Sequence, residues 1–165
     1  EIWNQTEGSV DGFICAIGTG GTLSGVGAYL KSKNKDISIG LADPMGANMY
    51  SFFKTGELKS EGSSITEGIG QGRITENIKD MSLDIPFRVN DSEALNILYD
   101  LIEEEGLFLG LSSGINIAGA KKLAKSLGKD KTIVTILCDS ANRYQNKMFN
   151  AGFLEENNLP IPSWL

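Results

Sequence analysis

One pattern recurs along this chain and limits its fold more than any other: a short apolar run, a glycine-rich bend, then a helical periodicity. Asp11–Ile17 (DGFICAI) reads as a buried strand, followed by GTGGTLSG and a helix through Leu30. Asp36–Ala42 (DISIGLA) reads as a second strand ending in Asp43-Pro44, and a short helix is predicted over Ala47–Lys54, closed by Gly56. Ile85–Val89 and Lys131–Leu137 (KTIVTIL) read as a third and a fourth strand. Unbroken Val/Ile-rich runs, without strict alternation, mark strands covered on both faces of a parallel sheet. Strands alternating with helices predict right-handed crossovers. The expected fold is α/β, a three-layer parallel-sheet domain with helices on both faces, with residues 1–165 forming one domain.

Two helices carry clear end signals. Asp91 is expected as an N-cap, with Leu95, Leu98, Tyr99 and Ile102 as one apolar stripe and Gly106 as the stop. The other is expected to open at Ser113-Gly114, with Ile117, Ala120, Ala124 and Leu127 on one side and Gly128 closing it. The acidic run Glu103–Glu105 reads as a solvated face, and no second carboxylate cluster makes it a metal site. The stretch Glu57–Asp84, with EGSS and EGIGQG in it, shows no long element, and loops of that length in compact domains are often functional.

Composition removes several classes of function. A 165-residue chain with 41% apolar and 22% charged residues suits a globular domain with a real core. The longest apolar runs, Phe13–Ile17 and Ile133–Cys138, are far shorter than a membrane helix needs. Fifteen Lys plus Arg against 21 Asp plus Glu give a net charge of −6, which repels phosphate backbones and anionic lipid surfaces. Neither a nucleic acid nor a membrane is expected as partner. There is no histidine, so His triads, His metal ligands and imidazole acid–base catalysis drop out together. Cys15 and Cys138 each sit in an apolar run and are expected to be small buried hydrophobes in a reducing, cytoplasmic setting. No signal peptide precedes the first strand, and the chain starts Glu-Ile-Trp, so a processed product or an excerpt is expected.

Glycine is the outlier, at 20 residues. Gly18-Thr19-Gly20-Gly21-Thr22 directly follows a predicted strand and precedes a helix. Such a loop presents backbone N–H groups at the positive end of the helix and can hold a phosphate dianion without Lys or Arg. The dinucleotide fingerprint fails because Leu23 stands where its third glycine belongs, and the P-loop fails because Val26 follows Gly25 in place of Lys. A tight strand–helix turn would use the same glycines. Two further bends, Gly110-Leu111-Ser112-Ser113-Gly114 and Leu137–Tyr144, are expected to join it at the carboxyl ends of strands, where open α/β sheets bind ligands. One serine of the former is expected to cap its helix, leaving the other hydroxyl free.

Read in order, GTGGT, EGIGQG, LSSGIN and CDSANRY resemble the cofactor-side motifs of the cysteine synthase (O-acetylserine sulfhydrylase) family, of the fold-type II group dependent on pyridoxal 5′-phosphate. EIWNQTEGSVDGFI resembles the segment that precedes the glycine loop there, so the likeness runs over essentially the whole chain. Cystathionine β-synthase shares the layout. The resemblance implies that Gly18, Thr19, Gly20, Gly21 and Thr22 hold the cofactor phosphate and that the Ser112 hydroxyl faces the pyridine nitrogen. It sets Gly68, Ile69 and Gly70 at the rim beside substrate, with Asp139 and Ser140 near the ring. The implied reaction is β-replacement, O-acetyl-L-serine and sulfide giving L-cysteine and acetate, in a homodimer acting on a small amino-acid substrate.

The likeness is partial. The family's Schiff-base lysine lies in a motif like N-P-x-x-S-x-K-D-R, and no lysine here has that context. The asparagine loop that holds the substrate carboxylate is missing too. The expectation is therefore a truncated C-terminal half, the large domain's cofactor side without the lysine-bearing domain, with no catalytic residue of its own and no metal. Isolated, it is expected to be inactive. Setting the resemblance aside, a non-catalytic phosphate-ligand-binding module and an interaction domain with an open sheet edge stay open.

Overall fold

The computed structural model describes residues 1–165. Its centre is a four-stranded, all-parallel sheet in the order β3-β2-β1-β4. The strands are β1 (Gly12–Cys15), β2 (Ser38–Pro44), β3 (Ile85–Val89) and β4 (Ile133–Val134). The helices are α1 (Ile2–Gln5), α2 (Gly21–Lys33), α3 (Met49–Thr55), α4 (Asp91–Glu105), α5 (Leu111–Leu127), α6 (Gln145–Met148) and α7 (Ala151–Glu156). A 3₁₀ turn, Ala141–Tyr144, leads into α6.

Alternate residues of the central strands feed two cores, which is the physical basis of the three layers. Phe13 and Cys15 of β1 join Ile39 and Leu41 of β2 and Leu23 and Leu30 of α2 on one face. On the other face, Ile14 and Ala42 meet Ile115, Ala118 and Leu123 of α5. A third cluster joins Leu95, Leu98 and Tyr99 of α4 to Leu111, Tyr144, Met148 and Leu154. The expected α/β class with helices on both faces therefore holds. Glu103–Glu105 is solvated, as expected, and Glu57–Asp84 contains no helix or strand.

Several local expectations are corrected. Asn90 caps α4 in place of Asp91: its side chain accepts from the Glu93 amide (2.9 Å), and the Glu93 carboxylate accepts from the Asn90 amide (3.2 Å), a complete capping box. Asp91 is drawn away, accepting from the Ser64 hydroxyl (2.5 Å) and the Ile65 amide (2.8 Å) of the long loop. Helix α5 begins at Leu111, so Ser112 and Ser113 lie inside it and neither caps it; Gly110 holds the N-cap position. Its buried face is Ile115, Ala118, Gly119 and Leu123, while the expected stripe of Ile117, Ala120, Ala124 and Leu127 is half-buried. The fourth strand has two paired residues where seven were expected, and Cys138, beyond it, is exposed while Cys15 is buried.

Candidate functional site

Because every strand is parallel, the loops leaving β1, β2, β3 and β4 gather along one edge of the sheet. The glycine loop leaves β1 there. Gly20 takes φ +87° as the N-cap of α2, in the left-handed region where glycine alone is unstrained. A side chain on Gly20 would run into Ile78, and one on Gly18 would stand 2.8 Å from the Gly68 carbonyl oxygen, so both glycines are demanded by close approach of the long loop. That loop is tied down at the same point. Thr75 Oγ1 and Asn77 Nδ2 donate to the Thr19 carbonyl (2.7 and 3.2 Å), and the Gly70 amide donates to the Ile17 carbonyl (3.0 Å).

Thr19, Gly21 and Thr22 remain exposed. Ser24 is the first residue at this junction whose amide finds an acceptor, the Gly20 carbonyl at 2.9 Å, so the amides before it in the first turn are free to bind an anion. The thirteen-residue α2 lies behind them with no acidic residue in its first turn.

A cleft of roughly 340 Å³ opens beside this loop, lined by Gly68, Ile69, Ser112, Cys138, Asp139 and Tyr144 among others. The structure thus brings Gly68, Ile69, Ser112 and Asp139 together. Gly18 reaches them through Gly68, while Thr19, Gly21 and Thr22 stand outside the cleft wall. The Gly110–Gly114 bend corrects one expectation: it follows helix α4, with no strand before it. It still arrives at the edge, because Leu109 bridges Ser140 and the Gly110 amide donates to the Asp139 carbonyl (2.8 Å).

The hydroxyls of this edge have different duties. Ser113 Oγ is taken by the Cys138 amide (3.1 Å), and Ser140 Oγ accepts from the Asn142 amide (3.3 Å). Ser112, nearly buried at 6% exposure, keeps its hydroxyl for the cleft. The Asp139 carboxylate packs against Gly110 and accepts from the Tyr144 hydroxyl (2.9 Å), with Arg143 Nη1 at 3.6 Å. Burial, then Asp139 itself, pushes the Tyr144 hydroxyl up to about 12, so it stays a donor at neutral pH. Lys147 fastens the cleft's outer rim, donating to the Ile65 carbonyl (2.9 Å) and pairing with Glu67 (2.6 Å), which holds the exposed Glu67 carboxyl below its usual range.

Sequence reasoning missed Asn116. It is 1% exposed, accepts from the Ala16 amide (2.7 Å) and donates to the Ile136 carbonyl (2.7 Å). Only its place in the LSSGIN motif marked it beforehand.

A family model described as pyridoxal-phosphate dependent enzyme matches residues 1–139, the span that contains the glycine loop, the long loop, α5 and the start of the last bend. The chain belongs to the pyridoxal-phosphate dependent enzyme family. Cysteine synthase 1 of Neurospora crassa is 48% identical over 164 residues, covering 96% of this chain and 44% of the relative. Cysteine synthase of Dictyostelium discoideum is 42% identical, covering 98% and 45%. The O-acetylserine dependent cystathionine β-synthase of Helicobacter pylori matches in structure with a TM-score of 0.78 at 28% identity, covering 88% of this chain and 45% of that one. The chain thus spans less than half the length of each of these three relatives. For a pyridoxal-phosphate enzyme the site meets two chemical needs: free amides at a helix N-terminus for a dianion, and a cleft holding an unengaged hydroxyl next to them.

Proposed function

We propose that this chain is the C-terminal part of a pyridoxal-phosphate-dependent cysteine synthase, one α/β domain that holds the cofactor without the lysine-bearing domain. One observation carries the reading: the unbonded amides before Ser24 and the free Ser112 hydroxyl share one sheet edge, while no lysine lines the cleft. When bound, the cofactor supplies the electron sink for β-replacement at an amino acid. Gly18, Thr19, Gly20, Gly21 and Thr22 would hold its phosphate through their backbone amides, aided by the two threonine hydroxyls and the dipole of α2. Ser112 would present a neutral hydroxyl to the ring nitrogen, and being uncharged it would not hold a proton there as a carboxylate would. Asp139, turned to Tyr144 and Gly110, keeps its charge away from the ring, with Ser140 beside it in the same bend. Gly68, Ile69 and Gly70 orient the substrate at the rim.

The reaction is formation of L-cysteine and acetate from O-acetyl-L-serine and sulfide, in a homodimer of the whole enzyme. The base that moves the substrate proton comes from outside this chain, so the isolated chain is inactive. No helix is long and apolar enough to cross a membrane. The free cysteines support a reducing compartment such as the cytoplasm. The likeness to the Helicobacter pylori protein favours a second reading, a cystathionine β-synthase-like enzyme using homocysteine in place of sulfide.

Adding pyridoxal phosphate to the chain, reducing with borohydride and reading intact mass tests the proposal. Expected are saturable binding competed by inorganic phosphate, no stoichiometric lysine adduct, and cysteine formation only when a relative's lysine-bearing half is supplied. A single stoichiometric adduct would sink the claim of an absent base, and binding of phosphate without the pyridine moiety would leave only a phosphate-binding module.

A further inference from the structure

Strands β1 and β4 begin as an ordinary parallel pair, with Gly12 opposite Ile133 and Phe13 opposite Val134, and then separate. Past that point three polar side chains replace the ladder. Thr135 Oγ1 donates to the Ile14 carbonyl (2.6 Å). Asn116, rising from α5, accepts from the Ala16 amide and donates to the Ile136 carbonyl, both at 2.7 Å, with Cys138 Sγ 3.7 Å from its Nδ2. Ser113 Oγ accepts from the Cys138 amide (3.1 Å). The orientation of the Asn116 carboxamide is fixed by its partners, because an amide needs the oxygen and a carbonyl needs the NH₂.

The consequence lies just beyond these bonds. Ala16 precedes the glycine loop by two residues, and Ile136 precedes Asp139 by three. A direct N–H···O=C ladder would draw these two segments to strand spacing, whereas an interposed carboxamide holds them wider apart. We infer that Asn116 is a positioning residue that sets the distance between the phosphate-binding loop and the Cys138–Ser140 bend, and so the room for a ring anchored at both. The inference rests on the cofactor-site reading above.

The test compares the unsubstituted chain with Asn116→Asp, measuring dissociation constants for pyridoxal phosphate and, separately, inorganic phosphate at pH 8 and pH 5.5. Ionised Asp keeps the Ala16 bond but faces the Ile136 carbonyl with a second acceptor; protonated Asp restores a donor there. Expected at pH 8 is about tenfold weaker binding of pyridoxal phosphate with phosphate binding within twofold of the unsubstituted chain, a loss equal to roughly 1.4 kcal/mol. At pH 5.5 the gap between variant and unsubstituted chain closes to threefold or less. Parallel weakening for both ligands, no weakening, or a gap that ignores pH each overturns the assignment of Asn116. Failure of the unsubstituted chain to bind pyridoxal phosphate overturns the cofactor-site reading, and the proposal with it. Should Asn116→Asp not fold, Asn116→Ser is measured, with the same selective loss expected at both pH values; an unselective or absent loss overturns the assignment.

Discussion

At the end of β2 a carboxylate, Asp43, lies fully out of water, with one oxygen accepting from the Tyr50 amide (2.7 Å) and the other buried without a partner. Burial raises its pKa from an ordinary 3.8 to about 6, against the lowering pull of the Tyr50 amide and of Arg88. The folded state therefore keeps this proton to a higher pH than the unfolded state does. The stability linked to it is fullest below the unfolded value and falls as pH rises through the folded one. A carboxamide in its place would remain neutral throughout while still accepting from the Tyr50 amide. Asp43→Asn should thus gain on the unsubstituted chain by about 2–3 kcal/mol between pH 4 and pH 7, read by urea unfolding at both. A difference that is flat with pH overturns this. Asp43 also shows a limit of reading residues singly. The sequence placed it after a strand, but its isolation from water comes from β2 lying between β1 and β3, which no local pattern reports.

Among the elements, α5 depends on glycine for its approach to the sheet. A methyl on Gly119 would stand 2.5 Å from Ala42 Cβ and 3.1 Å from Ile14 Cδ1, and one on Gly114 would stand 2.7 Å from the Ala94 carbonyl oxygen of α4. Gly119→Ala should cost about 1–3 kcal/mol through forced separation of helix and sheet. Gly25→Ala, with nothing within 4 Å in the middle of α2, should instead stabilise by about 0.5–1 kcal/mol. Thermal melts of the two variants check the pair, and equal shifts would overturn it. This is also the scale at which sequence reading worked best and failed most informatively. Ile85–Val89 and the stop at Gly106 were legible because apolar runs and a left-handed glycine are local signals. The cap of α4 was misplaced by one residue because Asn90 and Asp91 are both good caps. The choice was settled by Glu93 completing the box and by Ser64 and Ile65 claiming Asp91 from 27 and 26 residues away. Strand β4 was overextended for a similar reason, since its apolar run continues while Asn116 and Thr135 take its rungs.

For the whole molecule, the site was legible as motifs and illegible as geometry. GTGGT marks a tight strand–helix turn with free amides, but its neighbours Gly68 and Ile78 lie some 50 residues or more along the chain and meet it only because the long loop folds back across the edge. The net charge of −6 says nothing about the proposed phosphate site, since the positive potential there would come from backbone amides and a helix end, without side-chain charge. An open sheet edge is expected of a truncated sheet, but which strand bears it depends on the strand order, which no local pattern reports. Beyond β4 no further strand is paired, and a cavity of roughly 600 Å³ there is walled by Ile2, Trp3, Val26, Tyr29 and Ile136.

The register of that last strand has a temporal meaning as well. Gly12 pairs with Ile133, so the central strand waits for a neighbour made some 120 residues later. At roughly 5–20 residues per second on the ribosome, β1 waits about 6–24 seconds for that partner. Ribosome-bound chains of increasing length should gain protease resistance around β1 only after residue 134 has cleared the exit tunnel, and protection at shorter lengths would show that β1, β2 and β3 hold together without it. The strand that completes this side of β1 is thus both the last made and the shortest in the molecule.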